Sequence, residues 1–344
     1  MKSMMLTGIR QMEMKEVPDP LPVNETDVLI KMKVIGVCGS DVHYYKTGRI
    51  GSQVVNYPFP VGHEGAGEVI RIGKAVTRVK PGDRIAIEPA MPCWECDQCL
   101  AGRPHTCRKL RFLGCPGQAD GALSEYIIMP ERSCFPIPDH MSYDEAAISE
   151  PLAIGLYAVN SSIELKNAKV GILGFGPIGM SVLLAARAKG ACTIYVTDKI
   201  DERLVLAEKS GATYTGNPDK QDIVAEISGK EPQLLDVIFE CCGQQEAADQ
   251  AVELLKPGGK LMIIGIPEFD HWSFPADQMR RKELTIQNVR RQNETLDETL
   301  ELLSSARIDV SGMATHRFPF EKTREAFEMV ESYRDGVMKA MIDF

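Results

Sequence analysis

The sequence predicts an α/β protein whose first part is all-β and whose second part is a doubly wound parallel sheet. Three observations carry this. Up to about residue 150, short β-type runs are separated by proline and glycine turns. After Glu150-Pro151, strand and helix patterns alternate. Within that second part, Gly174-Phe175-Gly176-Pro177-Ile178-Gly179 follows a strand pattern and opens a helix pattern, which is the setting G-x-G-x-x-G requires. A chain of 344 residues is long enough for two domains, each with its own core.

Taken in order, residues 28–37, 67–72, 83–88 and 124–129 read as strands. Pro18, Pro20 and Pro22, then Pro58 and Pro60, then Pro81-Gly82-Asp83 mark the loops between them. Residues 153–161 look helical. Strands follow at 169–173, 193–197, 235–240 and 260–265, with helices at 178–189, 202–210 and 245–255. This βαβ rhythm calls for a parallel sheet. From about residue 293 the tail carries amphipathic helices at 296–304 and 320–333 and a strand-like 337–342, and it could return to the first domain. There is no internal repeat and no low-complexity tract.

Composition excludes several classes. With 44% hydrophobic and 25% charged residues this is an ordinary globular chain. A net charge of -9 argues against a nucleic-acid partner. No run approaches the length of a membrane span, and the first ten residues lack a signal-peptide core. The ten cysteines fall in metal-type spacings, which points to a reducing compartment and to the cytoplasm.

Two sets of metal-ligating residues stand out. Cys38, His63 and Glu64 offer a thiolate, an imidazole and a carboxylate, a workable set for a zinc ion with one open position. Such an ion acidifies a bound alcohol or water. Singly, Cys38 and His63 would be ordinary buried residues; the spacing of Gly36-Val37-Cys38-Gly39-Ser40-Asp41 and Gly62-His63-Glu64 with Gly67, Gly73 and Val76 argues otherwise. Cys93, Cys96, Cys99 and Cys107 read C-x2-C-x2-C-x7-C, as a closed structural zinc site requires. An iron–sulfur cluster or a disulfide framework are the rival readings. Cys115, Cys134, Cys192, Cys241 and Cys242 are expected to be buried thiols.

The glycine loop points to a dinucleotide. Its first glycine makes the turn, the second admits the pyrophosphate, and the third lets helix pack on strand. The pyrophosphate then meets the free N–H groups of the helix N-terminus. Asp198 ends the second strand of this part, 19 residues after Gly179, where a carboxylate accepts from ribose hydroxyls. It also repels a 2′-phosphate and so favours NAD over NADP, although Lys199 and Arg203 lie close in sequence.

On these residues the chain resembles the zinc-dependent medium-chain dehydrogenases, and within them the polyol (sorbitol/L-iditol) branch. The likeness extends over essentially the full length. It includes residues 62–76, 38–44, Gly48-Arg49-Ile50-Gly51, Glu150-Pro151-Leu152, Gly176-Pro177-Ile178-Gly179-Met180 and Thr315-His316-Arg317-Phe318-Pro319. The resemblance implies a GroES-like β-barrel catalytic domain at 1–152, with a structural-zinc lobe at about 90–110. It implies a Rossmann NAD domain at 153–292 and a C-terminal return segment at 293–344. By carry-over, Cys38, His63 and Glu64 hold the catalytic zinc, and Glu150 joins the metal or holds its water and contacts a substrate hydroxyl. Ser40 and His43 match a proton relay, and Tyr44 matches a substrate-pocket position. Arg203 and Ile264-Gly265-Ile266 match cofactor contacts. The polyol branch usually shows an Arg-Tyr pair where this chain has Arg290-Arg291, and a guanidinium suits an anionic group.

The expected activity is therefore reversible, zinc- and NAD-dependent oxidation of a secondary alcohol of a polyol or sugar derivative to a ketone. Two zinc ions per chain, a small-molecule substrate, and a homo-oligomer, tetramer favoured, complete the expectation. The alternatives are an L-threonine 3-dehydrogenase-like enzyme, a dehydrogenase of a sugar acid or sugar phosphate, and a non-catalytic NAD-binding protein that retained the fold.

Overall fold

The computed structural model describes residues 1–20 and 24–344, so Pro22 lies outside the described residues. The chain divides into two compact units. One comprises Met1–Glu150, Leu296–Ala306 and Val310–Phe344; the other comprises Pro151–Thr295 with Arg307–Asp309. The sequence instead suggested breaks after residues 152 and 292.

The first unit is built on a seven-stranded sheet. Its central strand, Asp27–Gly36, alternates strictly at its start, with Val28, Ile30 and Met32 buried and Lys31 exposed, as one inward-facing side demands. One edge of this strand pairs antiparallel with Glu64–Ile72, from Val28↔Ile72 to Gly36↔Glu64. The other edge is shared. Tyr126–Pro130 covers its first half and Lys339–Asp343 its last residues, with Met341 opposite Gly36. This register carries the function. It sets Glu64 beside Gly36, two residues before Cys38, and brings the chain's last strand to the same corner.

The second unit holds six parallel strands. Numbered by their appearance in the chain (Lys169–Leu173, Thr193–Thr197, Tyr214–Gly216, Leu235–Glu240, Leu255–Ile263, Thr285–Asn288), they lie in the order 3-2-1-4-5-6. This is the doubly wound arrangement, and its order reverses between the first and fourth strands, where such sheets bind ligands. Val170, Ile172, Val237, Ile238 and Phe239 are all fully buried. Such unbroken apolar runs suit strands covered on both faces.

Two expectations are corrected. The helix expected from residue 153 begins ten residues earlier, at Tyr143, and passes through Pro151 to Asn160. A proline inside a helix costs about 3 kcal/mol or more. Ile148, Leu152 and Leu156 on either side are buried, and each such side chain contributes about 1.5–3 kcal/mol on burial, so packing outweighs the break. Second, only Cys115 and Cys134 of the remaining thiols are buried; Cys241 is partly exposed and Cys192 and Cys242 are exposed. Cys192 falls in the turn ahead of a strand and Cys242 just beyond the end of one.

Candidate metal centres and dinucleotide site

Cys38 stands in extended backbone as the N-cap of the helix Gly39–Thr47. His63 ends the approach to the strand that Glu64 begins. Cys38 Sγ, a His63 ring nitrogen and a Glu64 carboxylate oxygen lie within 4.8 Å of one another. Gly36 makes room for this: a Cβ there would fall 2.5 Å from Glu64 Oε2. Thiolate, imidazole and carboxylate at this separation fit one zinc ion with an open position.

Around the trio is a set of buried charges. Asp41 Oδ1 accepts from the Gly62 N–H at 3.2 Å and lies 3.3 Å from His63 Nδ1. That partner fixes the ring and leaves Nε2 as the nitrogen free for a metal. Burial works to lower the His63 pKa, but Asp41 and Cys38 outweigh it and hold it well above its ordinary value. Burial, with Glu64, pushes the Cys38 thiol up; a metal ligand must instead be the thiolate. Lys339, 1% exposed, forms an ion pair with Glu64 Oε2, which is 2% exposed, and its Nζ lies 3.4 Å from the Val37 carbonyl. Burial disfavours its charge, yet Glu64 and Cys38 keep its pKa raised. Glu150 is buried on the helix Tyr143–Asn160 and stands outside the trio. Burial pushes its carboxyl up to about 8, with His63 opposing and Glu64 and Glu88 adding to the rise.

Ser40, in the first turn after Cys38, donates to Cys38 Sγ at 3.3 Å. His43, three residues on, shares its helical face. Tyr44 is buried and its hydroxyl donates to Gln53 Oε1 at 3.1 Å.

The four cysteines of the lobe also converge. Cys96 Sγ lies 3.6 Å from Cys99 Sγ and 3.8 Å from Cys107 Sγ, and Cys107 Sγ lies 3.4 Å from Cys93 Sγ. Sulfurs at about 2.3 Å from a tetrahedral zinc stand roughly 3.8 Å apart, whereas a disulfide needs about 2.05 Å. The spacing fits a single ion held by four sulfurs. Backbone N–H groups of Cys93 and Lys109 point at Cys107 Sγ, each at 3.3 Å. Those of Cys99 and Arg108 hold the Cys96 thiol down at about 6. Burial pushes the Cys99 thiol the other way, up to about 12, so a bound ion would have to claim it as the thiolate.

In the second unit, Gly174 has φ +92° and Gly176 N-caps the helix Pro177–Ala188, with Pro177 in its first turn. A Cβ on Gly179 would lie 2.1 Å from the Gly174 carbonyl oxygen, so helix and turn touch only because no side chain intervenes. Ile178 follows in the same helical turn. Asp198 is braced across the loop: Oδ2 accepts from Phe175 N–H at 2.6 Å and Oδ1 from Ile200 N–H at 2.8 Å. Arg203 is buried, with Nη1 3.4 Å from where a Gly176 Cβ would be. Ile264 and Gly265 both donate to the Glu240 carbonyl, at 2.9 and 3.1 Å, and Ile266 is exposed beside them. Arg290 is exposed; Arg291 is partly buried in left-handed backbone, φ +57°.

The structure thus gathers Cys38, His63 and Glu64, with Ser40 beside them, and separately Gly174 to Gly179 with Asp198 and Arg203. Asp41 and Lys339 carry weight that the sequence reading did not give them. Asp41 was legible as an acid three residues from Cys38 at a helix start. Lys339 had one signal, a single charge inside the apolar run 337–342.

Residues 24–139 match the alcohol dehydrogenase GroES-like domain and residues 177–305 the zinc-binding dehydrogenase family. Sorbitol dehydrogenase of Bacillus subtilis is 36% identical over 343 residues, covering 99% of this chain and 97% of that protein. L-idonate 5-dehydrogenase of Vitis vinifera is 35% identical over 331 residues, covering 94% and 89%. A protein described as a zinc-binding dehydrogenase from Sinorhizobium meliloti, solved with NADP, superposes with a TM-score of 0.91 at 30% identity, covering 100% of this chain and 99% of that one.

Proposed function

The chain belongs to the zinc-dependent medium-chain alcohol dehydrogenases, in their polyol branch, and we propose that it oxidises a secondary alcohol of a polyol to the ketone, reversibly and with NAD. The observation that carries the reading is the trio of Cys38, His63 and Glu64 donor atoms within 4.8 Å, in a chain similar to sorbitol dehydrogenase throughout.

When bound, zinc supplies Lewis acidity toward the substrate oxygen and the dinucleotide supplies the hydride acceptor. The protein does the rest. Cys38, His63 and Glu64 hold the catalytic ion, with His63 oriented by Asp41. Ser40 relays the hydroxyl proton, taking it on Oγ as its own hydrogen passes on to His43, which carries the charge outward. Glu150 offers a carboxyl to water or to a substrate hydroxyl, and Tyr44 lines the pocket. Cys93, Cys96, Cys99 and Cys107 hold a second, structural ion. Gly174, Gly176, Pro177, Ile178 and Gly179 form the pyrophosphate cradle, and Arg203 and Ile264-Gly265-Ile266 complete the dinucleotide site. Asp198 accepts from the ribose hydroxyls and repels a 2′-phosphate, hence NAD over NADP. In this reading 1–152 with 293–344 is the catalytic domain and 153–292 the cofactor domain. The protein acts as a cytoplasmic homotetramer, to be checked by light scattering.

A sugar acid is the second reading. It is favoured by the similarity to L-idonate 5-dehydrogenase and by the Arg290-Arg291 pair, whose guanidinium forks suit a carboxylate. One experiment tests both: NADH production by the zinc-loaded protein across sugar alcohols, sugar acids, sugar phosphates and threonine. Sorbitol or xylitol ahead of the rest supports the first reading. A sugar acid ahead, with Arg291→Tyr restoring preference for sorbitol, supports the second. Turnover of threonine alone overturns both.

A further inference from the structure

Near the proposed zinc ligands, the Tyr44 hydroxyl meets two polar groups, Gln53 and Cys115, that the mechanism above does not use. The helix Gly39–Thr47, which starts at Cys38, carries Tyr44, and the Tyr44 hydroxyl donates to Gln53 Oε1 at 3.1 Å. Cys115 Sγ lies 3.8 Å from the same hydroxyl. Gln53 sits on a small hairpin that directly follows the helix, paired with Ile50. Cys115 ends the segment 112–115, which packs against Gly62 and His63, just ahead of the strand that Glu64 begins. The Phe112 ring stands 5.2 Å from the His63 ring, and a Cβ on Gly114 would lie 2.8 Å from the Gly62 carbonyl oxygen. Tyr44 and Gln53 are therefore tied to both sides of the trio, through the helix behind Cys38 and through the segment against His63.

We propose that Gln53 is a specificity-determining residue for the alcohol, acting with Tyr44 to recognise substrate hydroxyls away from the reacting carbon; this rests on the polyol reading above. A phenol has one proton and two lone pairs. With its proton given to Gln53, the Tyr44 oxygen retains lone pairs that can accept from a hydroxyl, and the Gln53 amide adds N–H donors. A polyol carries hydroxyls that donate and accept at every carbon, and a simple secondary alcohol carries none to spare. A site built to pair hydroxyls discriminates strongly against molecules that lack them, because its own polar groups are then left unpaired. Replacing Gln53 by an apolar residue releases the Tyr44 proton and turns that acceptor into a donor.

The test compares kcat and KM for sorbitol, xylitol and 2-butanol, with KM for NAD as a control. Gln53→Leu and the near-isosteric Gln53→Met should lower the ratio of polyol to 2-butanol efficiency about tenfold, the scale of one hydrogen bond. The loss should fall mainly in the polyol KM, with 2-butanol and NAD unchanged. Tyr44→Phe should give a similar loss, and Tyr44→Phe/Gln53→Leu no more than either alone, since paired residues are not additive. Gln53→Glu, which keeps the acceptor for Tyr44, should restore part of the ratio. An unchanged ratio in both Gln53→Leu and Gln53→Met, or equal losses on polyol and 2-butanol, overturns the role of Gln53 alone. An unmodified enzyme that turns over no polyol overturns the functional reading, and this inference with it.

Discussion

Lys339→Met tests whether the corner that brings Cys38, Glu64 and the last strand together is a metal site. The substitution keeps most of the aliphatic stem and removes the cation. In the metal-free protein it leaves the Glu64 carboxylate, 2% exposed, without its Lys339 partner. Breaking a buried pair by removing one member costs about 3–5 kcal/mol. With zinc in place, Glu64 faces a divalent cation, and the cost falls toward that of one charge-assisted hydrogen bond, about 1.5–3 kcal/mol. Lys339→Met should therefore lower the midpoint of thermal unfolding of the chelated protein by roughly 10 °C, and that of the zinc-loaded protein by clearly less. The same cycle requires zinc to bind the variant more tightly than the parent, by roughly tenfold for a gap of 1.4 kcal/mol, because a competing cation is gone. Differential scanning with and without chelator, run on parent and variant together, reads both quantities. Equal penalties in the two states, or no penalty without metal, would refute the reasoning.

Other outcomes follow from single contacts. Asp41→Asn keeps the shape but weakens the hold on His63 Nδ1, and should cost about 10–100-fold in affinity for the catalytic ion, read by zinc titration against a chromophoric chelator. Gly179→Ala drives a Cβ to within 2.1 Å of a backbone oxygen; NADH fluorescence titration should show dinucleotide binding lost while both zinc ions remain. Asp198→Ala should weaken NAD and narrow its advantage over NADP in kcat/KM, and equal efficiency with both in the parent would sink the role given to Asp198.

The parallel half of the fold was legible because its signals are local. Strands at 169–173, 193–197 and 235–240 coincide with the observed ones, and the glycine loop lies between strand and helix as its pattern requires. What escaped was either short or set by distant partners. Lys2–Gly8 and the edge strand Thr285–Asn288 have little apolar alternation of their own, and in Gln11–Glu16 it extends only over Met12 and Met14. The strand Ala314–Pro319 exists through its pairing with Lys339–Asp343. The helix through Pro151 shows tertiary burial overriding a local breaker. The site divides the same way. Cys38, His63 and Glu64 and the four lobe cysteines announce themselves by residue type and spacing. The Lys339–Glu64 pair joins residues 275 apart and is set by the register that places Met341 opposite Gly36, which no local pattern encodes.

The central claim is that two metal sites with separate roles serve one polyol dehydrogenase. Zinc content by mass spectrometry, measured with NADH production from sorbitol and xylitol on the same samples, tests it most directly. The unmodified protein should hold two zinc ions per chain and reduce NAD. Cys38→Ser should hold one and lose turnover with its fold intact, and Cys99→Ser should lose the other and chiefly stability. One zinc per chain in the unmodified protein, or full turnover in Cys38→Ser, would contradict the account.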